Sequence, residues 1–155
     1  MTTRLQDEIR QSKPFESAEQ EAFLSLGRTW ALLEHAFAEF LKPHGITPTQ
    51  YNALRILRGA GDDGLCRSAV MERMITRVPD ATRLLDRLQA AGLIERRRDA
   101  ADRRFVTTRI RQEGLRLLAD LDGPVQKLHR RLLGRLAGGD QRRLIELLAQ
   151  VREGL

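Results

Sequence analysis

The sequence contains few cysteine, histidine and aromatic residues, and it has no long apolar run. One cysteine among 155 residues excludes an internal disulfide, and this cysteine with three scattered histidines offers no zinc-ligand spacing. No apolar run approaches the roughly 20 residues of a membrane-spanning helix, and the start of the chain, MTTRLQDEIRQ, is too polar for a signal peptide. We therefore expect a cytoplasmic protein with no metal, no cofactor and no contact with a membrane.

Sequence signatures of catalysis are missing as well. The chain has no phosphate-binding loop and no nucleophile elbow. It also has no paired carboxylates on one helical face that ordinary ion pairs fail to explain. The sequence therefore predicts that the protein is not an enzyme.

Composition favours a mainly α-helical chain in one domain. A length of 155 residues with 41% hydrophobic residues suffices for one core, and leucine and alanine among arginine and glutamate favour helix over sheet. Arginine outnumbers lysine by 24 to 3. This ratio suits bidentate contacts to guanine or phosphate, but a GC-rich genome produces the same bias. The positions of the arginines therefore carry more weight than their number.

Start signals and apolar spacing predict the helices of the first half. Ser17 and Gln20 form a capping box in front of a long apolar stripe over residues 23–40. A second start signal, TPTQ at residues 47–50, combines a cap with a proline at the first helical position. We therefore predict helices over residues 17–42, from 47 to near 59 and from 67 to 75, and we leave residues 1–14 open.

The second half alternates between helical and strand-like periods. A helix is predicted to begin at Pro79 and to end at Gly92, with leucines on its buried side. Near-alternation of apolar and polar residues then predicts a hairpin, with strands at 93–98 and 104–110 around the turn DAADR. A fifth helix is predicted over 112–136, with a kink at Gly123-Pro124, and a last helix is predicted to be capped by Asp140.

Positive charge is concentrated between Arg77 and Arg111. This stretch holds ten arginines against five acids, a net of +5 out of +6 for the whole chain. A helix followed by an arginine-tipped hairpin can place a rod in a major groove and a finger along the neighbouring backbone. Double-stranded DNA is therefore the first partner to consider.

The segment ATRLLDRLQAAGLIERRRDAADRR resembles the recognition helix, first wing strand and wing tip of the MarR family of bacterial transcription regulators. In that family T-R-x-x-D-R-L, G-L-[IV]-x-R and D-x-R follow one another at these distances. The resemblance extends over residues 17–153 and implies a mainly α fold with a small β-hairpin wing. It implies a winged helix-turn-helix lobe at 47–110, flanked by dimerisation helices at 17–42 and 112–153.

Two positions depart from the family pattern. The exit of the hairpin usually reads L-T-x-x-G, but here Arg111 replaces the capping threonine, although Gly114 keeps the glycine. Cys66 stands at the start of the third helix, where the family tends to have threonine or serine. A thiol at a helix N-terminus suggests an oxidant sensor, whereas a small buried cysteine is the commoner role. The family's peroxide sensors carry their cysteine near the first helix, where this chain has none, and that counts against sensing.

The resemblance assigns DNA contacts to individual residues. Pro79, Asp80 and Arg83 match positions from which the family reads bases, since the first turn of this helix points into the groove. The alternative is an ordinary helix start with an acid that complements the helix dipole. Thr82 and Arg87 are expected to contact phosphates. Arg104 is expected to enter the minor groove, while Asp102 and Arg103 hold the wing tip in shape. The alternative for the wing tip is a solvated turn.

The resemblance also implies a site for a small aromatic or phenolic effector. Trp30, Phe37, His44 and Tyr51 lie where the first two helices of the family approach the fifth. Packing in the core or in a dimer is the alternative for Trp30 and Phe37, because aromatic residues at helical spacing usually just pack. His44 beside Pro43 is alternatively the end cap of a helix.

The sequence thus predicts a sequence-specific DNA-binding transcription regulator, a ligand-responsive repressor that acts as a homodimer on a pseudo-palindromic operator. One alternative is a winged-helix module that contacts protein or RNA partners, because a fold does not determine its partner. Another alternative is a redox-responsive regulator based on Cys66. The concentrated positive charge favours DNA, and a salt titration against random duplex would distinguish the readings.

Overall fold

Helix start signals and short apolar strands organise the chain as the sequence predicts. The computed structural model describes residues 4–98 and 106–155, and contacts divide the chain into two units, Met1–Pro48 and Thr49–Leu155. The described helices are α1 (Arg4–Glu8), α2 (Ala18–Leu41), α3 (Pro48–Ala60), α4 (Arg67–Glu72), α5 (Ala81–Ala90), α6 (Gln112–Leu133) and α7 (Gly138–Glu153). The described strands are β1 (Leu65–Cys66), β2 (Ile94–Arg98) and β3 (Val106–Ile110).

The predicted capping box begins α2. The Oγ atom of Ser17 accepts a hydrogen bond from the backbone N–H of Gln20 at 3.1 Å, which satisfies one of the unpaired donors of the first turn. The side chain of Gln20 in turn accepts a hydrogen bond from the backbone N–H of Glu16 at 2.7 Å, one residue before the cap. The helix ends at Leu41 and continues as a short 3-10 turn to Gly45, which adopts φ 71°. The first unit also contains α1, within the segment that the sequence leaves open.

Apolar faces of four helices and the sheet form the buried interior of the second unit. The helices α3, α5 and α6 bury side chains three or four positions apart, as amphipathic helices must, and α4 contributes Val70. Their burial supplies most of the stabilisation of this unit, because each fully buried leucine contributes about 2 kcal/mol. The buried apolar residues of this unit are Tyr51, Ala53, Leu54, Leu57, Val70, Leu84, Leu85, Leu88, Ile94, Leu118, Leu121, Val125 and Leu128.

The described strands form one antiparallel sheet in the order β1-β3-β2. In the predicted hairpin Ile94 pairs with Ile110, and Arg98 pairs with Val106. The strand β1, which the sequence analysis does not predict, pairs with the other edge of β3. Gly64 leads into it at φ 67°, where a Cβ atom would lie 2.6 Å from the carbonyl oxygen of Thr108. Only glycine allows this approach of the two backbones.

Several predicted boundaries differ from the structure. The helix predicted from Pro79 begins at Ala81, because Asp80 provides the cap and Pro79 precedes it. Asp140 does not cap α7; Ala137 is the N-cap and Asp140 lies in the first turn, where its charge still favours the helix dipole. The helix α4 ends at Glu72, whereas the sequence predicts residue 75. The helix α6 ends at Leu133, whereas the sequence predicts residue 136. In both cases a turn follows the last helical residue.

The start and the middle of α6 illustrate two sequence signals. Arg111 is its N-cap and makes no side-chain capping hydrogen bond, which confirms the loss of the family's capping threonine. Pro124 lies within the helix, which runs without a break from Gln112 to Leu133.

Among the described residues, no helix combines the length and the apolar character that crossing a membrane requires.

Candidate nucleic-acid interface

The helix α5 separates a buried face from an exposed face. Leu84, Leu85 and Leu88 are 9%, 1% and 0% exposed, and they hold the helix against the interior of its unit. Arg83 and Arg87 are exposed and four residues apart, so their guanidinium groups extend from one side of the helix. A rigid helix that presents arginines to solvent has the form required for contact with base edges in a major groove.

Asp80 begins this helix by accepting a hydrogen bond. Its Oδ1 atom accepts from the backbone N–H of Arg83 at 2.9 Å, so one carboxylate oxygen is engaged in capping. This contact corresponds to the alternative considered for Asp80, an acid that stabilises a helix start. The second oxygen of an ionised carboxylate remains an acceptor, which matches the cytosine amino group in a major groove. Pro79 is exposed immediately before the cap.

Thr82 is tied to the preceding helix. Its Oγ1 atom accepts a hydrogen bond from a guanidinium nitrogen of Arg67 at 3.1 Å, which links the first residue of α4 to the first turn of α5. The hydroxyl of threonine can donate one hydrogen bond while it accepts another. The exposed Thr82 hydroxyl can therefore still donate a hydrogen bond of its own.

The end of α5 leads directly into the first wing strand. Gly92 adopts φ 72°, and the backbone N–H of Leu93 donates to the carbonyl of Leu88 at 3.0 Å, the pattern of a glycine-terminated helix. Arg96 of β2 then reaches back and donates hydrogen bonds to the side chains of Asp86 and Gln89. This arginine therefore clamps the wing strand to the helix.

The neighbouring arginines of β2 have other roles. Arg97 forms an ion pair with Glu95 at 3.0 Å on the same strand, and its side chain is 68% exposed. Arg98 is exposed at the end of the strand. The predicted contacts of Arg103 and Arg104 and the predicted role of Asp102 lie outside the described residues. Arg96 and Arg97, neighbours on one strand, thus make separate contacts, Arg96 with α5 and Arg97 within β2.

Positive charge is not confined to the helix and wing. Residues 127–143 hold six cations against one acid, a net of +5, and all six cationic side chains are exposed. The total charge of the chain hides this cluster, because the residues outside the two basic segments together carry a net charge of −4 and lower the total to +6. The cations of the second cluster are Lys127, Arg130, Arg131, Arg135, Arg142 and Arg143.

The aromatic residues of the first unit form a row along α2. The rings of Phe37 and Phe40 stack with centroids 6.4 Å apart, and His44 lies 5.9 Å beyond Phe40. Trp30, two helical turns earlier, is 50% exposed. The structure thus joins Phe37 to His44 through Phe40, a residue that the predicted effector site does not include. His44 makes a ring contact with Phe40, and the 3-10 turn is closed by the backbone of Gly45.

Tyr51 lies in the second unit, at an open cleft between α3 and α6 with a volume of about 550 Å³. Tyr51 is 6% exposed, and its burial raises the pKa of the phenol, which therefore stays protonated at neutral pH. Across the cleft the guanidinium of Arg58 binds both carboxylate oxygens of Asp122 at 2.9 and 3.0 Å, and this contact raises the pKa of Arg58. Arg55 and His129 also line the cleft.

Comparisons with known proteins agree with this geometry. A family model described as MarR family matches residues 44–104. YsmB of Bacillus subtilis, an uncharacterized HTH-type transcriptional regulator, is 32% identical over 110 residues, which cover 71% of this chain and 73% of the relative. The crystal structure of a MarR transcription factor from Planctomyces limnophilus is 37% identical over 88% of this chain and 99% of its own, with a TM-score of 0.69. The chain belongs to the MarR family.

The fold extends to more distant MarR structures. A MarR mutant from E. coli, crystallised with operator DNA, is 23% identical over 96% of this chain and 99% of its own, with a TM-score of 0.75. The predicted mainly α winged-helix fold with flanking helices is therefore confirmed. MarR proteins are transcription regulators and not enzymes, so the prediction that this chain is not an enzyme is also confirmed.

Cys66 is exposed, so the expectation of a small buried cysteine is wrong. It is the N-cap of α4, and its Sγ atom lies 3.2 Å from the hydroxyl oxygen of Ser68. This hydrogen bond, followed by that from the backbone of Ala69, lowers the pKa of the thiol. The redox reading of this MarR-family chain stays a prediction.

Three positioning contacts escape the sequence analysis. Arg67 binds Thr82 across 15 residues, Arg96 binds Asp86 across 10, and Arg58 binds Asp122 across 64. Opposite charges in the sequence indicate that ion pairs can form, but the chain offers many such pairs. The tertiary fold selects among them.

Proposed function

We propose that this MarR-family chain is a sequence-specific DNA-binding transcription regulator, a ligand-responsive repressor that acts as a homodimer on a pseudo-palindromic operator. The observation that carries the proposal is the exposed face of α5, where Arg83 and Arg87 extend away from the buried leucines. Two similar proteins support the same proposal: YsmB is described as an HTH-type transcriptional regulator, and a MarR mutant from E. coli was crystallised with operator DNA.

Base readout is assigned to the first turn of α5 and positioning to its surroundings. Arg83 can bind O6 and N7 of guanine with its two parallel donors, and Asp80 can accept from cytosine with its free oxygen. Thr82 and Arg87 bind phosphates, which orients the helix without reading sequence. Pro79 contacts the groove next to the cap, while Arg103 and Arg104 complete the interface at the wing.

The proposed homodimer uses the outer helices, residues 17–42 and 112–153, around a DNA-binding lobe at 47–110. Large apolar side chains are exposed on α2 and α7, including Phe23 at 76% and Ile145 at 64%. Such a concentration on a monomer marks an interface with another chain. A two-fold dimer brings two copies of α5 to successive major grooves, about 34 Å apart. Sedimentation at micromolar concentration should yield a dimer, and a monomer would contradict this part of the proposal.

The proposed effector is a small aromatic or phenolic molecule, with Trp30, Phe37, His44 and Tyr51 as its candidate contacts. A ligand that binds the DNA-free arrangement more tightly must weaken DNA binding by the same factor. A phenolic acid should therefore raise the melting temperature and lower operator affinity together. Stabilisation without a change in DNA affinity would leave the effector without a regulatory role.

Substitution of Arg83 tests the DNA assignment. Arg83→Ala should lose about 1–3 kcal/mol on a duplex selected by the parent protein from a random pool, and much less on random duplex. Arg104→Ala should weaken binding to both duplexes and should reduce the salt slope by about one unit per half of the dimer. Arg116→Ala is the matched control, since Arg116 is exposed on α6 and the substitution removes the same charge.

The result also decides between DNA and other partners. If Arg83→Ala and Arg104→Ala both bind selected and random duplex like the parent, at a salt concentration where the parent binds, the DNA assignment is refuted. The winged helix would then be assigned to a protein or RNA partner. Equal losses for Arg83→Ala and Arg116→Ala would indicate a general charge effect and would refute base readout by Arg83.

A further inference from the structure

The second cluster, whose cations lie within residues 127–143, has no part in the proposed contacts of α5 and the wing. Its six cationic side chains are exposed, and none of them forms an ion pair or a side-chain hydrogen bond with a described residue. By contrast, acids engage Arg96 and Arg97 of the wing strand. The cations of the second cluster therefore keep their hydrogen-bond donors for a partner outside the described chain.

The second cluster lies far along α6 from the wing. At the start of α6, the backbone N–H of Arg111 donates to the carbonyl oxygen of Leu93, just before β2, at 2.9 Å. Arg130 follows 19 residues later, which corresponds to about 28 Å along a helix axis. Leu128 is the last buried apolar residue of the described chain, so most of the cluster lies beyond the interior of its unit.

Helical spacing separates the cations of α6 from its buried side. Lys127, Arg130 and Arg131 are three and four positions apart, so they share one face of the helix. The buried Leu121 and Val125 lie on the other side. The basic face therefore remains open to solvent when the helix packs on its own unit.

The first turns of α7 bring further cations to the end of α6. The Nε2 amide of Gln141 donates to the carbonyl oxygens of Leu133 and Leu136 at 3.3 and 3.1 Å, which holds α7 against the last turn of α6. Arg142 follows directly and lies roughly 160° around α7 from Leu144, which belongs to the exposed apolar side. An apolar interface on α7 therefore leaves Arg142 accessible.

The helix dipole explains only part of this cluster. A dipole favours cations at the C-terminal end of a helix, and Arg130 and Arg131 lie in the last turn of α6. Arg142 and Arg143 lie beyond the first turn of α7, where the effect of a dipole has fallen off. The concentration of cations around the junction of the two helices therefore favours an anionic partner.

The chemistry of the second cluster matches a phosphate backbone better than a membrane surface. Five of its six cations are arginines, whose planar guanidinium groups bind phosphate with two parallel hydrogen bonds. Helices that lie on membranes insert large apolar side chains beside their cations, whereas the face of α6 that holds Lys127, Arg130 and Arg131 carries none. Duplex DNA offers about one negative charge per 1.7 Å of its axis, which complements a row of cations.

We propose that the second cluster binds the phosphate backbone of a second segment of duplex DNA, without reading its sequence. The inference goes beyond the proposed regulator, in which α5 holds the operator, and it rests on that function only for the first duplex. The protein would then bridge its operator to another duplex or to a distant part of the same DNA.

Removal of charge from the second cluster tests this proposal. The test variant combines three substitutions in the cluster, Arg130→Gln, Arg131→Gln and Arg135→Gln. The matched control removes the same charge from three exposed cations outside both basic segments, by Lys13→Gln, Arg116→Gln and Arg152→Gln. Melting curves confirm that the variants are folded. A charge-retaining variant combines Arg130→Lys, Arg131→Lys and Arg135→Lys.

Capture of a second duplex is the first measurement. The selected duplex is immobilised and saturated with protein, and labelled random duplex is then added, so that α5 is already occupied. The parent should capture the random duplex, the test variant about tenfold less, and the matched control and the lysine variant within about threefold of the parent. A parent that captures none, or a test variant that captures as much as the matched control, would overturn the proposal. A loss in the lysine variant as large as in the test variant would also overturn it.

Salt dependence separates this proposal from the proposed function. In a background of Arg83→Ala and Arg87→Ala, the protein should still bind random duplex, and adding the three glutamine substitutions should lower the salt slope by about two to three units per chain. An unchanged slope would overturn the second surface. A parent that selects no sequence, yet shows this loss of slope, would refute the proposed function and support the second surface.

Competition identifies the class of the partner. Vesicles of phosphatidylserine and phosphatidylcholine in equal parts, and polyglutamate, are added to the captured duplex at equal total negative charge. Unlabelled duplex should release the captured duplex more effectively than either competitor. Stronger release by the vesicles would assign the surface to a membrane, and stronger release by polyglutamate would assign it to an acidic protein; either result would overturn the assignment to DNA.

Discussion

Replacement of Arg96 should loosen the wing from the recognition helix. Arg96 extends from β2 and donates hydrogen bonds to Asp86 and Gln89, which lie on α5. Its side chain is only 27% exposed, so the contact is partly shielded from water. Arg97, the next residue, forms an ion pair within its own strand and is 68% exposed, so it serves as the matched control.

The structure sets the expected size of the effect. Hydrogen bonds to charged groups contribute about 1.5–3 kcal/mol when shielded, but Asp86 is 53% exposed and solvent screening reduces the value. We therefore expect Arg96→Ala to cost about 1–1.5 kcal/mol of unfolding free energy, a fall of roughly 2–6 °C in melting temperature for a chain of this size. Arg97→Ala should cost less than about 0.5 kcal/mol, as usual for an exposed pair.

DNA binding should separate the two variants as well. If the clamp fixes the angle between the helix and the wing, Arg96→Ala should weaken binding to the selected duplex about fivefold, close to 1 kcal/mol. Melting is followed by circular dichroism at one fixed protein concentration, because dimer stability depends on concentration. Fluorescence anisotropy measures the DNA affinity. The reasoning is refuted if Arg96→Ala and Arg97→Ala behave alike, or if a double-mutant cycle with Asp86→Ala gives no coupling energy.

Three further predictions address the cap, the tight turn and the thiol. Asp80→Ala should lose about 1 kcal/mol of stability because the cap is removed, whereas Asp80→Asn should keep it, as chemical denaturation would measure. Gly64→Ala should cost more than about 3 kcal/mol of unfolding free energy, because its Cβ atom would meet the backbone of Thr108. Gly61→Ala, at a similar φ but with open space around the Cβ atom, should cost about 1 kcal/mol. Equal losses for the two variants would contradict the close approach at Gly64. Since the pKa of Cys66 is lowered, its thiolate should persist to lower pH than that of a free cysteine. Iodoacetamide should therefore still alkylate Cys66 as the pH falls below the ordinary thiol pKa. A profile of alkylation rate against pH identical to that of free cysteine would refute this prediction.

The long helices could be predicted from sequence because their signals are local. The stripe of α2, the TPTQ start of α3 and the glycine end of α5 each lie within a few residues of the structure they determine. Boundaries were less certain where two signals compete. Pro79 and Asp80 both mark a helix start, and the structure uses Asp80 because its carboxylate satisfies a backbone N–H that proline cannot reach.

Contacts between distant residues could not be predicted in the same way. The strand β1 has only two residues, too few for a period, and it exists because β3 offers a free edge to which Gly64 can bring it. The exposure of Cys66 follows from the same strand, since the residue lies at an edge and at a helix start. Such features depend on register and packing, which composition does not encode locally.

Counting arginines overstates the number available for DNA. Of the described arginines between 77 and 111, Arg96 and Arg97 lie within ion-pair distance of acids in the same segment, and Arg111 lies within ion-pair distance of Glu113, just after it. Arg109 has a buried Nε atom without a hydrogen-bond partner among the described residues. These pairs leave the net charge unchanged, but they hold their guanidinium groups in place for structural contacts. The described arginines of this segment that pair with no described acid are Arg77, Arg83, Arg87, Arg98 and Arg109.

This division has a measurable consequence for salt dependence. Each phosphate neutralised by a free cation adds about 0.9 to the slope of log affinity against log salt, whereas a cation held in an ion pair releases few counterions. Removal of Arg87 should therefore flatten the slope, and removal of Arg97 should leave it nearly unchanged, although both substitutions remove one charge per chain. Under the proposed function, the charge of the segment attracts DNA over a distance, whereas the geometry of α5 determines which of its arginines contact the duplex.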